Sequence, residues 1–540
     1  MREARPVGGR SRADRVAHAL RASEAIACLS LVSALLAPSA SLASRPSPRA
    51  ANARAASGPP RFVLFGWVSP PPESTTRARI DEMAELGLNL MLPPENDAGR
   101  PPDNHARLSH ATASGLQCLV FDDRLAAAFG LGLETPAGSA LLDSAAAAYR
   151  GSAAFLGWYL GDEPTPPWAP QRSVHEALRS RDPSHLTWNN LLGPASFATD
   201  SQWRSYMSGY LDSIPAAVLS SAHYDFLRTE TRGRFFEFAS GLRAVADAHG
   251  VPFWGIVQLV EHGPYRALTA GELRWQASHL LAYGARGIGY FTYWTPAPDT
   301  FWNFQSAIIA RNGTRTPAYD VLRDFHARLR PAGETLADCA WISTQVTGDL
   351  PAGAEPFVAD PFVRGTAGRV TLGRFLGPGG LMHLVVVNRN PVATQVVLLR
   401  LGRLDVDLLT QFGTWNRAQG LEDPDGVSVP LIIEPGGFAL LRLSPSAPIP
   451  AGDGGGIQVA PNPARGVVSL RLATRPHPGT LEILDALGRG VWKRDLAEST
   501  FEYGWTGVDL DGRPVPPGRY LARWRGASGE STTSFVWLGR

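Results

Sequence analysis

The sequence predicts a (β/α)₈ barrel followed by two all-β regions. Three observations predict it. Apolar strand-like runs alternate with helix-like segments about eight times between residues 61 and 332. Polar and aromatic residues gather at the ends of those runs. After Arg330 the texture changes to short β-branched runs split by Gly, Pro and Asn.

The elements follow in order. RFVLFGWVSP (61–70) reads as a buried strand, and TTRARIDEMAELG (75–87) as a helix capped by Thr75 or Thr76. LNLMLPP (88–94) and LQCLVFDD (116–123) are the second and third strands, the latter ending in Asp122 and Asp123. A helix over SALLDSAAAAYRG (139–151) leads to FLGWYLGDEP (155–164), the fourth strand. Helices over 174–183, 203–215, 235–250 and 272–285 precede strands HLTWNNLLGP (185–194), AVLSSAHYDFL (217–227), VPFWGIVQLVEH (251–262) and RGIGYFTYW (286–294). AYDVLRDFHARLR (318–330) closes the series as a helix. An open doubly wound sheet would need a Gly-rich phosphate turn after its first strand, and none is present.

Residues 335–445 read as a β-sandwich, from RVTLGRFLG to FALLRLSP. A Pro/Gly linker follows at 446–456. Residues 457–540 read as a further all-β domain with turns at DALGRG, DLDGRP and VPPGRY.

Composition excludes several classes. The formal net charge is +2, with no basic stripe interleaved with aromatics, so nucleic acid is not an expected partner. Cys28, Cys118 and Cys339 are spread over separate segments and imply neither a disulfide framework nor, without a CxxC or His/Cys cluster, a metal site. No cofactor is expected. Residues 1–43 have the pattern of a signal peptide: six arginines, the apolar run AIACLSLVSALLA, then small residues for cleavage near Ala40 or Ala43. The run is short for a membrane span, so the mature chain is expected to have none. Residues 44–60 read as a disordered linker, and the expected destination is secretion or the cell surface.

A barrel of this kind gathers its chemistry at the C-terminal ends of its strands. There the sequence places Trp67, then Asp162 and Glu163, then Trp188, Asn189 and Asn190, then His223, Tyr224 and Asp225, then Gln258 with Glu261 and His262 behind it, then Tyr293 and Trp294. Trp67, Trp188, Tyr224, Tyr293 and Trp294 could be stacking platforms for sugar rings, although Trp67 and Trp188 could equally fill the barrel. Asn189, Asn190, His223, Gln258 and Asp162 suit recognition of hydroxyl groups. The same residues could serve turns and cores instead.

WYLGDEP, together with PFWGIVQ and LTAGELRWQASHLLAYGARGIGYFTYW, resembles the retaining (β/α)₈ glycoside hydrolases, beta-galactosidase-like barrels in particular. The resemblance covers roughly residues 61–330. It implies an acid/base Glu after the fourth strand, matched by Glu163, and a nucleophile after the seventh. The family's Asn before the acid is Asp162 here, and the seventh strand delivers Gln258, so Glu261 or Asp225 would have to supply the nucleophile. Retention would need carboxyl groups ~5 Å apart and inversion ~6.5–9.5 Å. VAPNPARGVVSLRL, LEILDALGRGVW and GWTGVDLDGRPVPPGRYLARW resemble FlgD-like immunoglobulin domains, related to type IX sorting tails. That likeness implies secretion machinery or a cell surface as a partner. The expected function is cleavage of O-glycosidic bonds in a poly- or oligosaccharide by carboxylate acid/base catalysis. The alternative is a non-catalytic carbohydrate-binding or structural surface protein on a degenerate barrel.

Overall fold

The computed structural model describes residues 60–539 except 96–100, 424–425, 446–456, 461, 463, 465, 473–478, 497–501 and 527–528. The segment expected to be a signal peptide (1–43), nearly all of the expected 44–60 linker and the expected 446–456 linker lie outside the described residues.

Eight parallel strands form the first unit. They are β1 Val63–Trp67, β2 Leu90–Met91, β3 Gln117–Val120, β4 Phe155–Asp162, β5 Leu186–Asn190, β6 Leu219–His223, β7 Phe253–Gln258 and β8 Gly287–Phe291. Their order in the sheet is β5-β4-β3-β2-β1-β8-β7-β6. A parallel bridge between Leu191 and Ser221, with the Leu191 N–H donating to the Ser220 carbonyl at 2.8 Å, joins the two ends and closes the barrel.

The helices are α1 Arg77–Glu85, α2 Pro101–Ser114, α3 Asp123–Leu131, α4 Pro136–Tyr149, α5 Ala169–Arg181, α6 Asp200–Ser213, α7 Phe235–His249, α8 Ala270–Ala282 and α9 Pro317–Leu336. Caps fix several starts. Thr76 accepts from the Arg79 N–H, and Thr199 and Thr269 each form a full capping box. Helix α3 is absent from the sequence reading. It opens on Asp122, whose carboxylate accepts from the Arg124 N–H, so the acid that ends β3 caps a helix.

Alternation along the strands divides the apolar side chains between two layers. Phe65, Leu119, Leu156, Trp188, Trp254 and Ile256 belong to a cluster that fills the barrel. Their neighbours join the larger cluster shared with the helices, among them Leu64, Trp158, Val257 and Tyr290.

The second unit is a two-sheet sandwich. One sheet has the order β10-β9-β12-β13-β19-β15-β16 and the other β11-β14-β18-β17. The strands are β9 Ala340–Val346, β10 Glu355–Pro356, β11 Val363–Ala367, β12 Val370–Leu376, β13 Met382–Asn388, β14 Gln395–Leu401, β15 Leu404–Leu409, β16 Trp415–Arg417, β17 Leu421–Asp423, β18 Gly426–Ile433 and β19 Phe438–Pro445. The larger sheet rests on α8. Thr344 Oγ1 donates to the Ala282 carbonyl at 2.7 Å, and Trp275 Nε1 to the Arg389 carbonyl at 3.1 Å. This contact explains why α8 is buried nearly all round and has no clean polar face.

The last unit has sheets β20-β21-β24 and β23-β22-β25-β26. They run β20 Ile457–Ala460, β21 Val468–Leu472, β22 Gly479–Asp485, β23 Gly490–Leu496, β24 Glu502–Trp505, β25 Gly518–Gly526 and β26 Gly529–Trp537. Trp492, Trp505, Trp524 and Trp537 pack in one core between them. Among the described residues no helix is long and apolar enough to cross a membrane.

Candidate active site

Strand β4 ends irregularly. Its register against β5 slips between Tyr159 and Gly161, and Gly161 has φ +133°. Glu163 follows with φ +47°, a left-handed conformation that is strained for a side chain of this kind. The slip changes which residues share a face. In a regular strand Tyr159 and Asp162, three apart, would point to opposite sides. Here Tyr159 lies against the interior cluster and its phenol feels the charges of both Asp162 and Glu163.

The pair is held from behind by β5 and β6. Asn190 Nδ2 donates to Asp162 Oδ1 at 3.0 Å, and Ser220 Oγ donates to Asn190 Oδ1 at 3.2 Å. The Glu163 N–H donates to the Asn190 carbonyl at 2.8 Å. Asn189 Nδ2 donates to the Gly161 carbonyl at 3.0 Å while accepting from the Tyr210 hydroxyl at 3.0 Å. Tyr206 donates to the Pro164 carbonyl at 2.6 Å. The two asparagines therefore fix the bulge and the carboxylates.

Protein crowds Asp162, yet solvent reaches it, as at the bottom of an open funnel. Asn190 and the Glu163 N–H stabilise its charge against the desolvation that raises its pKa. Glu163 is less exposed. Burial raises its pKa first, and the Asp162 charge adds to the shift. The pair therefore ionises first at Asp162, and Glu163 keeps its proton well above the usual carboxylate range.

Aromatic rings wall this mouth. Trp67 contacts Tyr159 at 5.9 Å and Phe291 at 6.5 Å, and Tyr224 stacks on Phe291 at 5.4 Å. Tyr265 meets Tyr224 edge-on at 5.3 Å. Tyr159, Tyr224 and Tyr265 all lie in the field of Glu163, and burial pushes each phenol above its ordinary pKa. They are neutral hydrogen-bonding groups, not nucleophiles.

The other sequence candidates divide. Trp67 and Tyr224 stay partly exposed at the mouth. Trp188 is only 1% exposed and fills the barrel beneath Trp67, because its position on β5 points inward below the rim. Tyr293 and Trp294 are buried in the outer layer, where Arg79 lies 5.5 Å over Trp294; the chain leaves the barrel wall after Phe291. None of these three offers a ring face to a ligand. His223 is buried among Phe235 and Phe238 of α7, and its Nε2 lies 3.0 Å from Asp225 Oδ1. That same oxygen accepts the Arg234 N–H at 3.0 Å, so Asp225 pins the start of α7 instead of standing free.

Gln258 is fully buried. Its Oε1 accepts from the Phe226 N–H, and its Nε2 donates to the Phe226 and Arg266 carbonyls, each at 3.0 Å. It ties two loops together and has no hydrogen-bonding capacity directed at a substrate. Glu261 lies on the loop after β7 and is ion-paired with Arg228 at 2.5 Å. Glu272 closes a capping box and pairs with Arg266, as expected for the first turn of a helix.

Tyr159, Tyr265 and Phe291 escaped the sequence reading. Tyr159 stands in the quoted fourth strand, but its face depends on the slip at Gly161. Tyr265 sits in a loop and carries no signal. Among the described residues no group of three or more His, Cys, Asp or Glu side chains could hold a metal ion. A separate cleft of about 710 Å³ lies between the sandwich and the last unit. Its Asp485 and Asp509 cap matching D-x-x-G-R turns, each accepting backbone N–H groups two and four residues on.

No protein-family model matches the chain, and no curated protein matches it. Among solved structures it is similar to a glycoside hydrolase family 5 protein from Bacteroides vulgatus, at 13% identity and TM-score 0.46, over 72% of this chain and 89% of that one. It is similar to a glucosidase from Croceicoccus marinus, at 11% identity and TM-score 0.35, over 84% and 95%. A beta-galactosidase from Marinomonas ef1 matches at 10% identity and TM-score 0.36, over 48% and 57%. At these identities and scores the likenesses decide nothing about what the chain does.

Proposed function

We propose that the barrel mouth binds a carbohydrate and that Glu163 is the general acid of a glycoside hydrolase. One observation carries this reading: Glu163 keeps its proton towards neutrality in a solvent-reached mouth walled by aromatic rings. Breaking a glycosidic bond needs that proton on the leaving oxygen as the C–O bond opens. Water then supplies hydroxyl to the anomeric carbon and returns a proton to the site. Trp67 and Tyr224 would stack on sugar faces, and neutral phenols would bond hydroxyl groups. Glu261 is our candidate for the second carboxylate, once a substrate displaces Arg228.

A second reading has its own support. Gln258 occupies the end of β7 and is fully committed to backbone groups. A barrel without a second free carboxylate would bind sugar without cutting it. Export through the N-terminal segment, and a sorting or surface role for residues 457–540, belong to the same proposal and rest on sequence pattern alone.

The test is a panel of aryl glycosides and oligosaccharides with wild type and Glu163→Gln. Turnover lost in the variant while binding persists supports the hydrolase. Binding without turnover in both supports the second reading. Absence of sugar binding in both overturns the proposal.

A further inference from the structure

The loop after β6 carries three arginines, and two of them are neutralised. Arg228 pairs with Glu261 at 2.5 Å, and Arg234 pairs with Glu237 at 2.5 Å. Arg232 has no carboxylate within ion-pair reach among the described residues. Its Nε is buried with no acceptor. The side chain is only half-buried, so its positive charge is partly desolvated, lacks an ion-pair partner and remains within reach of an anion from solvent.

The loop around it is built, not loose. Phe226 and Thr231 bridge antiparallel, and the Leu227 N–H donates to the Glu230 carbonyl at 2.8 Å. The Arg232 N–H donates to the Asp225 carbonyl at 2.8 Å, and Asp225 is itself fixed by His223 and the Arg234 N–H. Leu227 also bridges Tyr265, so the loops after β6 and β7 hold each other.

The guanidinium is directed by Tyr265. Arg232 Nη2 donates to the Tyr265 hydroxyl at 3.2 Å, and its carbon lies 5.6 Å from the Tyr265 ring centroid. Tyr265 in turn meets Tyr224 and lies in the field of Glu163. A positive group of fixed orientation thus stands beside the aromatic wall of the same mouth.

We propose that Arg232, braced by Tyr265, is an anion subsite of this mouth that recognises a carboxylate or sulfate group carried by the sugar. This rests on the carbohydrate reading given above and names its substrate class. A planar guanidinium matches either anion through paired N–H donors.

The test uses the full chain and a panel of matched oligosaccharides. Each uronate is paired with its carboxyl-reduced neutral counterpart, and each sulfated sugar with its desulfated form. The expected result is tighter binding of one acidic member than of its neutral partner, by about ten- to a hundredfold, weakening as salt is added. Arg232→Gln should bring that ratio close to one, and Arg232→Lys should keep part of it. Thermal melts confirm folding of each variant, and the salt dependence of wild type stands independently of them. Preference in the uronate arm or the sulfate arm says which anion is read. Equal binding of acidic and neutral partners, or a ratio that Arg232→Gln leaves unchanged, overturns the subsite while the carbohydrate reading stands. Absence of binding by any sugar overturns both.

Discussion

The ends of β4 and β7 are built in opposite ways. At β4 the chain bulges at Gly161, enters a left-handed conformation at Glu163 and leaves two adjacent carboxyl groups open to a mouth. At β7 the chain stays regular, and Gln258 is sealed inside with every polar atom of its side chain bonded to backbone. Backbone strain and like charge both oppose the arrangement at β4, whereas the Gln258 amide is fully satisfied at β7. On the proposed reading the acid comes from the end of β4, while Gln258 at the end of β7 holds the neighbouring loops in place.

The largest expected effect tests the β4 side. Glu163→Gln should lower kcat on any substrate found by about 10²–10⁴-fold with binding retained, measured by steady-state kinetics and calorimetry. The same variant carries a stability signature. Glu163 has its native pKa raised above the unfolded-chain value, so its contribution is intact below that value and is lost as pH rises through the native one. The stability advantage of Glu163→Gln over wild type should therefore grow from acid pH towards neutrality in thermal melts. An advantage that does not change with pH would mean that Glu163 is an ordinary surface acid.

The other side is tested by Gln258→Glu. This substitution would turn two donated bonds, to the Phe226 and Arg266 carbonyls, into contacts between acceptors. It should cost about 2–4 kcal/mol of stability in urea unfolding. A variant that is as stable as wild type and gains turnover would show that β7 is an open catalytic position, and the contrast would fail.

Asp162→Asn sharpens the contrast further. It removes the charge that helps keep Glu163 protonated. The limb of the rate profile that falls as pH rises should move down by about one pH unit. A limb that stays in place would show that burial alone sets Glu163.

The smallest effect is expected of Ser220→Ala, which frees the Asn190 amide that steadies Asp162. It should cost about 0.5–1.5 kcal/mol in unfolding and shift the same limb slightly. A loss as large as that of Gln258→Glu would mean that Ser220 serves the barrel closure beside it more than the carboxylates.

Much of the architecture was legible from pattern. Strand and helix periods differ, so the eight alternations and the change after Arg330 could be read directly. The helix α3 was hidden because Asp122 and Asp123 read as the end of a strand, when Asp122 is the cap that starts a helix. Asp162 and Glu163 stood out because two acids closing an apolar run are rare, and the structure brings them to the end of β4 near Tyr159. Tyr293 and Trp294 were misplaced, and Trp188 was left open between rim and core, because a rim residue and a core residue look alike in sequence. Only depth along the strand, and the point at which the chain leaves the barrel wall, separate them.

By itself the sequence determined the barrel, the two β regions behind it and the strand that ends in Asp162 and Glu163. These follow from local periodicity, which each segment carries alone. The tertiary structure decided which groups share the mouth. A one-residue slip at Gly161 turned Tyr159 towards Asp162. The packing of two loops sealed Gln258 and paired Arg228 with Glu261, and among the described residues it gave Arg232 no ion-pair partner. Charge state and solvent access depend on neighbours distant in the chain, and no local pattern encodes them.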